Sequence, residues 1–461
     1  MPEAVAFRRQ QEVTVRVDRL SYGGRGVGRV DGYVVFVPDT APGDVVRARL
    51  VKVKRNYAEA ALVEVVEPSP ARAAPPCPYF GPCGGCLWQH IPYAAQAAAK
   101  EAIVRESLAH LAGLRDLPVH PVVAADDPWY YRNKMEFTFA PDGLLGLHRR
   151  GAFDRIVGIE SCLLQSPLTT ALLGEVREFV TAHGLTCYNP RTHAGLLRHL
   201  VVREGKQTGE FMVAIITSAG EFPQAREFAG LLASGHPEIA SVLWGVNPSL
   251  GDAVTPERVE VLHGRPFIQE RLGGLTFRIG LETFFQTNTA QAEKMVASVR
   301  AAAALAGTGP VVDLYCGVGT FALLLARGAA SVHGIEVVPA AVEAARENAR
   351  LNGITNAEFE VGDARRGLPA LIERIGRPDL LLLDPPRSGA GERVMRRVVE
   401  AAPRRAIYVS CNPTTLAPDL RVLVNAGYAI TSVQPLDLFP QTYHVECVVA
   451  LEAPPALPVP S

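Results

Sequence analysis

Val311-Val312-Asp313-Leu314-Tyr315-Cys316-Gly317-Val318-Gly319-Thr320 reads as a short apolar strand running into a glycine turn, and the apolar stretch 321–327 behind it reads as a helix. Glycines in such a turn let the backbone approach a ligand at the mouth of the helix. A lone Gly-x-Gly also fits a tight turn in any α/β domain, so the neighbouring segments decide. Strand candidates recur at 310–314, 331–336, 357–361, 380–383 and 406–410 with helical segments between them. That alternation predicts a doubly wound parallel sheet, whose ligands sit at the carboxyl ends of its strands. Glu336, Asp363 and Asp384 all fall at such ends. Of these, Glu336 is placed to bind ribose hydroxyls. The Gly-x-x-x-x-Gly-Lys spacing of a phosphate cradle is absent here, which disfavours nucleotide hydrolysis.

Upstream the pattern changes. Short alternating strands at 12–17, 33–37 and 45–50 are broken by Gly23-Gly24, Asp31-Gly32 and Pro42-Gly43, the spacing of a small β-barrel over 11–68. The whole chain of 461 residues carries 46 Lys plus Arg against 47 Asp plus Glu, a net charge of −1 that excludes a uniformly basic nucleic-acid coat. Residues 1–72 alone hold 12 basic against 9 acidic side chains, a local excess of three, with Lys52, Lys54 and Arg55 beside Tyr57. On charge alone this is as much a solvated face as an RNA-binding one. The segment resembles a TRAM domain, the small OB-like barrel attached to several RNA-modifying enzymes, and the resemblance implies RNA.

The length suits about three domains. A linker over 68–76 leads to Cys77, Cys83 and Cys86, with Cys162 the nearest fourth thiol. Three thiols spaced by six and three in a glycine-rich loop can converge on one centre, and four suit zinc or an iron-sulfur cluster; zinc is favoured on general frequency. A redox pair of Cys83 and Cys86 is a third reading. Residues 93–113 have helical composition with Gly113 as C-cap. The stretch 119–280 reads as strands with a hairpin at 206–209 and one helix near 222–233. Within it, Trp129-Tyr130-Tyr131-Arg132-Asn133-Lys134 interleaves aromatic and basic residues, as a half-buried strand or an RNA-facing one would. Eight cysteines are too few for a disulfide scaffold, the start of the chain lacks a signal pattern, and the run 311–326 is too short and too interrupted to span a bilayer. A cytoplasmic protein without membrane association is expected, and no protein partner is read from the sequence.

Two further positions carry chemistry. Cys411, in Tyr408-Val409-Ser410-Cys411-Asn412-Pro413, ends a strand of the predicted sheet, and Glu446, in His444-Val445-Glu446-Cys447, opens a buried final strand. A buried carboxylate is costly unless partnered or used, and a free cysteine is as readily a core residue as a nucleophile. Arg387 follows Asp384-Pro385-Pro386, where methyltransferases acting on exocyclic nitrogens usually carry an aromatic residue and RNA cytosine-C5 methyltransferases a cysteine.

Asp-Leu-Tyr-Cys-Gly-Val-Gly-Thr-Phe (313–321), Asp-Pro-Pro-Arg-Ser-Gly (384–389), Val-Ser-Cys-Asn-Pro-Thr-Thr-Leu (409–416) and His-Val-Glu (444–446), taken in order, resemble the bacterial RNA uracil-C5 methyltransferases of the TrmA/RlmD type. The resemblance implies an enzyme that uses S-adenosylmethionine (SAM) to make 5-methyluridine. Cys411 would add to uracil C6, and Glu446 would remove the C5 proton after methyl transfer. The resemblance also places Gln286, Tyr315, Gly317, Gly319, Thr320, Glu336, Asp363 and Asp384 at the SAM site. The branch whose four cysteines hold a 4Fe–4S cluster turns the reading of Cys77, Cys83, Cys86 and Cys162 from zinc to iron-sulfur, and implies 23S ribosomal RNA as substrate. The same chemistry on transfer RNA, and a non-catalytic RNA-binding iron-sulfur protein, remain as alternatives. The expected architecture is multidomain α/β: a tail (1–10), the barrel (11–68), a central β-rich domain with the cysteine site (73–92 and 119–280), a Rossmann-like methyltransferase domain (93–118 and 281–452) and a second tail (453–461).

Overall fold

The computed structural model describes residues 7–305 and 309–454, so most of both expected tails lies outside the described residues. In β1 (Glu12–Leu20), Val13, Val15 and Val17 are buried while Glu12, Thr14 and Arg16 face solvent. This period-two pattern recurs in β3 (Tyr33–Val37), β4 (Val45–Val53) and the first half of β5 (Tyr57–Glu67), whereas β2 (Gly26–Val30) buries its first three residues in a row. The five strands close into a barrel in the order β1-β2-β3-β5-β4, filled by small and β-branched side chains such as Val15, Val35, Val46 and Ala58. On its outer face Lys52 pairs with Glu59 at 2.8 Å, and Glu59 also holds Arg25 at 3.0 Å.

Helix α1 (Tyr93–Ala112) stops at Gly113, whose φ of 69° is the left-handed conformation that glycine adopts without strain. The helix packs through Val104 and Leu108 against the carboxyl-terminal domain, while Ile103 on another side meets Leu20 and Ala41 of the barrel and Glu106 pairs with Arg19 at 3.1 Å. Inside that contact Lys100 Nζ meets Asp437 Oδ1 at 2.5 Å, with both side chains fully buried.

The central domain is one seven-stranded sheet in the order β12-β11-β10-β9-β6-β7-β8. It comprises β6 (Lys134–Phe139), β7 (Leu145–Arg149), β8 (Ala152–Gly158), β9 (Leu197–Glu204), β10 (Phe211–Thr217), β11 (Ile239–Val246) and β12 (Arg258–Gly264). Two helices, α2 (Pro167–Ala182) and α3 (Ala225–Gly235), cover one face through Leu172, Phe179, Phe228 and Leu232. The sequence reading found α3 and missed α2, although Ser166-Pro167 carries a helix-start signal. Its 16 residues mix Thr and Val with Leu, and strand propensity masked a helix that burial stabilises. The other sheet face packs Val201, Met212 and Leu243 onto the hairpin β13 (Phe267–Leu272) and β14 (Leu275–Gly280) and onto the carboxyl-terminal core. Residues 129–133 precede β6 and are not strand. Tyr131 is buried there, donating its hydroxyl to Pro440 O at 3.1 Å, so it offers no face to RNA, whereas Tyr130 is exposed.

The carboxyl-terminal domain follows α4 (Thr289–Ala303) and alternates β15 (Pro310–Leu314), α5 (Thr320–Ala326), β16 (Ser331–Glu336), α6 (Pro339–Leu351), β17 (Ala357–Val361), α7 (Ala364–Ile375), β18 (Leu380–Leu383), α8 (Glu392–Ala401), β19 (Arg405–Ser410) and α9 (Pro413–Asn425), then β20 (Ala429–Leu436) and β21 (Glu446–Glu452). The strand order is β17-β16-β15-β18-β19-β21-β20, parallel from β17 to β19. β21 is antiparallel and slots between β19 and β20. The order reverses at β15, and the crevice outside the carboxyl ends of β15 and β18 is where such sheets take their ligands.

Candidate active site

The turn after β15 is built for close approach. Tyr315, Gly317 and Gly319 take positive φ of 64°, 54° and 81°, and a Cβ on Gly317 would meet nothing within 4 Å, so the turn is open to a ligand. Glu336 closes β16 and accepts from Gly317 N at 3.1 Å and Val338 N at 2.9 Å, which fixes its carboxylate beside the glycine turn. Asp313, inside β15, is fully buried; its Oδ2 accepts from Ala322 N at 2.9 Å and its Oδ1 has no partner among the described residues. Burial, then Asp384, then Glu336 push the Asp313 carboxyl well above the usual carboxylate range. Asp313, Asp384 and Glu336 lie close enough for their charges to act on one another, a cluster that a cationic ligand would favour. The sequence reading did not name Asp313, though an aspartate in an apolar strand was a visible signal.

Of the other expected cofactor residues, Thr320 opens α5, and Tyr315 is half-buried, with its phenol pushed up to about 12 by burial and by Asp363 and Asp419. Asp363 caps α7, accepting from Arg366 N at 3.2 Å. Gln286 is buried in the segment before α4, its carbonyl accepting from Asn133 Nδ2 at 2.8 Å.

One strand further along, β19 ends at Ser410, which pairs with Cys447 of β21. Cys411 and Glu446 therefore lie across from each other where the ladder runs out. Burial raises Glu446 to about 8, with Asp384 adding to the rise and Arg387 opposing it. Asp384 is raised to about 7 by burial. The Cys411 thiol is pushed up to about 12, first by burial and then by Glu446 and Asp384, again against Arg387. The loop bearing Arg387 is held in place: Arg387 O accepts from Asn412 Nδ2 at 3.0 Å, and Asp419 Oδ2 takes Ala390 N at 2.8 Å and Tyr408 Oη at 2.6 Å. His444, half-buried between Phe439 and Tyr443, falls to about 4 through burial and the charges of Arg387, Lys100 and Arg132, so it stays a neutral ring. A thiol, a proton-accepting carboxylate and an arginine thus meet at the strand ends, the set needed for attack on an electron-poor ring and later proton removal.

A cavity of about 810 Å³ extends from Arg387, His444 and Tyr443 to Arg132, Lys134 and Arg150, and its far wall carries Cys77, Cys83, Cys86 and Cys162. The four thiols line that one cavity, and the structure shows no more of the expected metal site than this. Among the described residues no group of three or more His, Cys, Asp or Glu is gathered to hold a metal ion. Cys83 Sγ accepts from Gly85 N at 3.4 Å, while Cys86 and Cys162 pack with Tyr131 and Leu164. No helix of the described residues is long and apolar enough to cross a membrane.

Comparison with known proteins agrees with this geometry. Residues 7–63 match the TRAM domain and residues 307–416 a methyltransferase domain. A protein of Bacillus cereus named RNA methyltransferase is 39% identical over 442 residues, covering 95% of this chain and 96% of that protein. One of Gloeobacter violaceus, also named RNA methyltransferase, is 40% identical over 455 residues, covering 98% of each. Among solved structures, the Pyrococcus abyssi tRNA (uracil-54, C5)-methyltransferase in complex with S-adenosyl-L-homocysteine superposes with a TM-score of 0.75 at 30% identity, covering 95% of this chain and 100% of that one.

Proposed function

The chain belongs to the RNA uracil-C5 methyltransferase family, and from that membership we propose that it forms 5-methyluridine in 23S ribosomal RNA with Cys411 as nucleophile and Glu446 as base. The observation that carries this reading is the placement of Cys411, Glu446 and Asp384 at three neighbouring strand ends beside Arg387. SAM, when bound, supplies an electrophilic methyl group on a positively charged sulfur. Asp313, Glu336 and the glycine turn would hold it, with Gln286, Tyr315, Thr320, Asp363 and Asp384 lining the same crevice.

Cys411 loses its Sγ proton to solvent and adds to C6 of the uracil as the thiolate, and the electron pair displaced from the C5–C6 double bond onto C5 and O4 makes C5 nucleophilic. After C5 takes the methyl group, Glu446 accepts the C5 proton, the C5–C6 double bond reforms, and the thiolate of Cys411 leaves. Arg387 favours both the thiolate and the Glu446 carboxylate by its charge. The thiol of the free enzyme is well above neutrality, so attack depends on the added positive charge that the methyl donor brings to the crevice.

Transfer RNA is the second reading, favoured by the tRNA specificity in the name of the Pyrococcus abyssi enzyme, whose full length this chain covers. Because that coverage includes most of this chain, possession of a barrel does not separate the two substrates. Mass-spectrometric mapping of 5-methyluridine in ribosomal and transfer RNA, from cells with and without this protein, decides between them; loss confined to transfer RNA overturns the ribosomal assignment. Replacing Cys411 by Ala abolishes transfer of labelled methyl groups to RNA; undiminished transfer removes the nucleophile assignment. The 4Fe–4S cluster is part of the same proposal. Its support is the resemblance together with the four thiols on one cavity wall, and no step of the chemistry runs through it. Anaerobically purified protein should contain iron and sulfide; zinc in their place, or no metal, ends that part of the reading. We place the enzyme in the cytoplasm, where its eight cysteines, all free, would stay reduced.

A further inference from the structure

The turn between β1 and β2 of the barrel is tightly determined. Ser21 N donates to Arg25 O at 2.8 Å and Gly24 N to Ser21 O at 3.0 Å, while Gly24 O accepts from the indole of Trp88 at 3.2 Å. A Cβ on Gly24 would lie 3.1 Å from the ring of Tyr443, so only glycine lets the turn sit this close to the carboxyl-terminal domain. The residue so presented is Tyr22. Its ring stands edge-on to Tyr443 at 5.1 Å, and its hydroxyl donates to the carbonyl oxygen of Cys411 at 3.3 Å.

That carbonyl lies just past the last ladder pair, Ser410 with Cys447, and just before Asn412, which caps α9 with its side chain. The nucleophile is therefore at a hinge between two regular elements, where sheet pairing no longer fixes the backbone. A donor on the Cys411 carbonyl restricts rotation of that peptide and so the direction of the Cα–Cβ bond that carries Sγ. We propose that Tyr22 is a positioning residue of the methyl-transfer site, through which the barrel aims the Cys411 thiol. Burial and the neighbouring Tyr443 and Cys411 keep the phenol protonated, as a donor must be. The inference rests on the reading of Cys411 as nucleophile, and it adds a role for the barrel inside the reaction itself.

Tyr22→Phe in the full-length protein removes the hydroxyl and leaves the ring packing. With unmodified ribosomal and transfer RNA from cells lacking the protein, and labelled SAM, the variant should lose kcat by about tenfold, since small misplacements of a reacting group cost one to two orders of magnitude. The KM for RNA and the thermal midpoint should be those of the unsubstituted protein, which a purely structural role would not allow. A kcat unchanged from wild type overturns the proposal, as does a loss confined to KM, which would put the hydroxyl on RNA instead. In parallel, the rate at which iodoacetamide alkylates Cys411 without RNA, read by peptide mass spectrometry against Cys187 as internal reference, should change in Tyr22→Phe. If the wild-type protein methylates no uracil, the functional reading falls; the alkylation rate then decides the positioning role by itself, an unchanged rate overturning it and a changed one upholding it.

Discussion

At the scale of single residues, Glu446 is the group whose chemistry is most exposed to test. Replacement by Gln keeps its volume and removes the base, so Cys411 can still add and C5 still be methylated, but the C5 proton stays. The expected result is a fall in turnover of about 10²–10⁴-fold with a covalent protein–RNA species that survives denaturing electrophoresis. A variant that turns over normally, or slows without trapping RNA, removes the assignment. The raised carboxyl of Glu446 also fixes the sign of a pH effect. Its folded value of about 8 lies above the ordinary 4.5, so between those values the native state holds more protons than the unfolded chain. Stability from this group is then present below about 4.5 and lost as pH rises towards 8. Asp384, raised to about 7, acts in the same direction. Thermal midpoints should fall between pH 5 and 8, and SAM should protect more at pH 8 than at pH 6. A shallower slope in Glu446→Gln than in wild type would assign that share of the effect to Glu446, the remainder belonging to Asp384.

At the scale of elements, the docking of α1 depends on a buried ion pair. Lys100 Nζ reaches Asp437 Oδ1 at 2.5 Å and Phe439 O at 3.0 Å, and Asp437 Oδ2 has no partner among the described residues. Lys100→Met strands a buried carboxylate and should cost about 3–5 kcal/mol, whereas Lys100→Met with Asp437→Leu should recover most of it. Urea unfolding of the two variants measures the difference; equal losses would show that packing, not charge, sets the cost. Elements also show what sequence could carry. The strands 310–314 and 380–383 were legible because buried parallel strands are nearly continuous apolar runs, and 331–336 and 357–361, which alternate towards the sheet edge, because Gly and Asp punctuate the helices between them. Helix α2 was missed because its Thr and Val residues read as strand and outweighed the start signal at Ser166-Pro167. Cys411 and Glu446 were found through motifs, while Asp313 and His444 were passed over, one inside an apolar strand and one beside the base. Tyr22 gave no signal at all: its partner is 389 residues away, and only the folded barrel brings them together.

For the whole molecule, a net charge of −1 coexists with a cavity lined by Arg132, Lys134, Arg149, Arg150, Arg203 and Arg387. Affinity for RNA should therefore fall with salt although the protein is not basic, because each phosphate contact releases counterions; a plot of log affinity against log salt concentration with zero slope would exclude phosphate contacts. Arg150→Ala should flatten that slope by about one unit or less.

The insertion of β21 between β19 and β20 has a consequence for biosynthesis. Strand β21 is made after both of its neighbours, so during translation those two must stay apart, or separate again, until it arrives. Glu446 comes with it. A nascent chain already possesses the glycine turn and Cys411 but lacks Glu446, so on the proposed mechanism premature encounter with RNA would at most trap the protein and not turn over. Catalytic competence is thus tied to completion of the sheet, and a chain cut short before β21 should be both unable to methylate and prone to aggregate along the unpaired edges of β19 and β20.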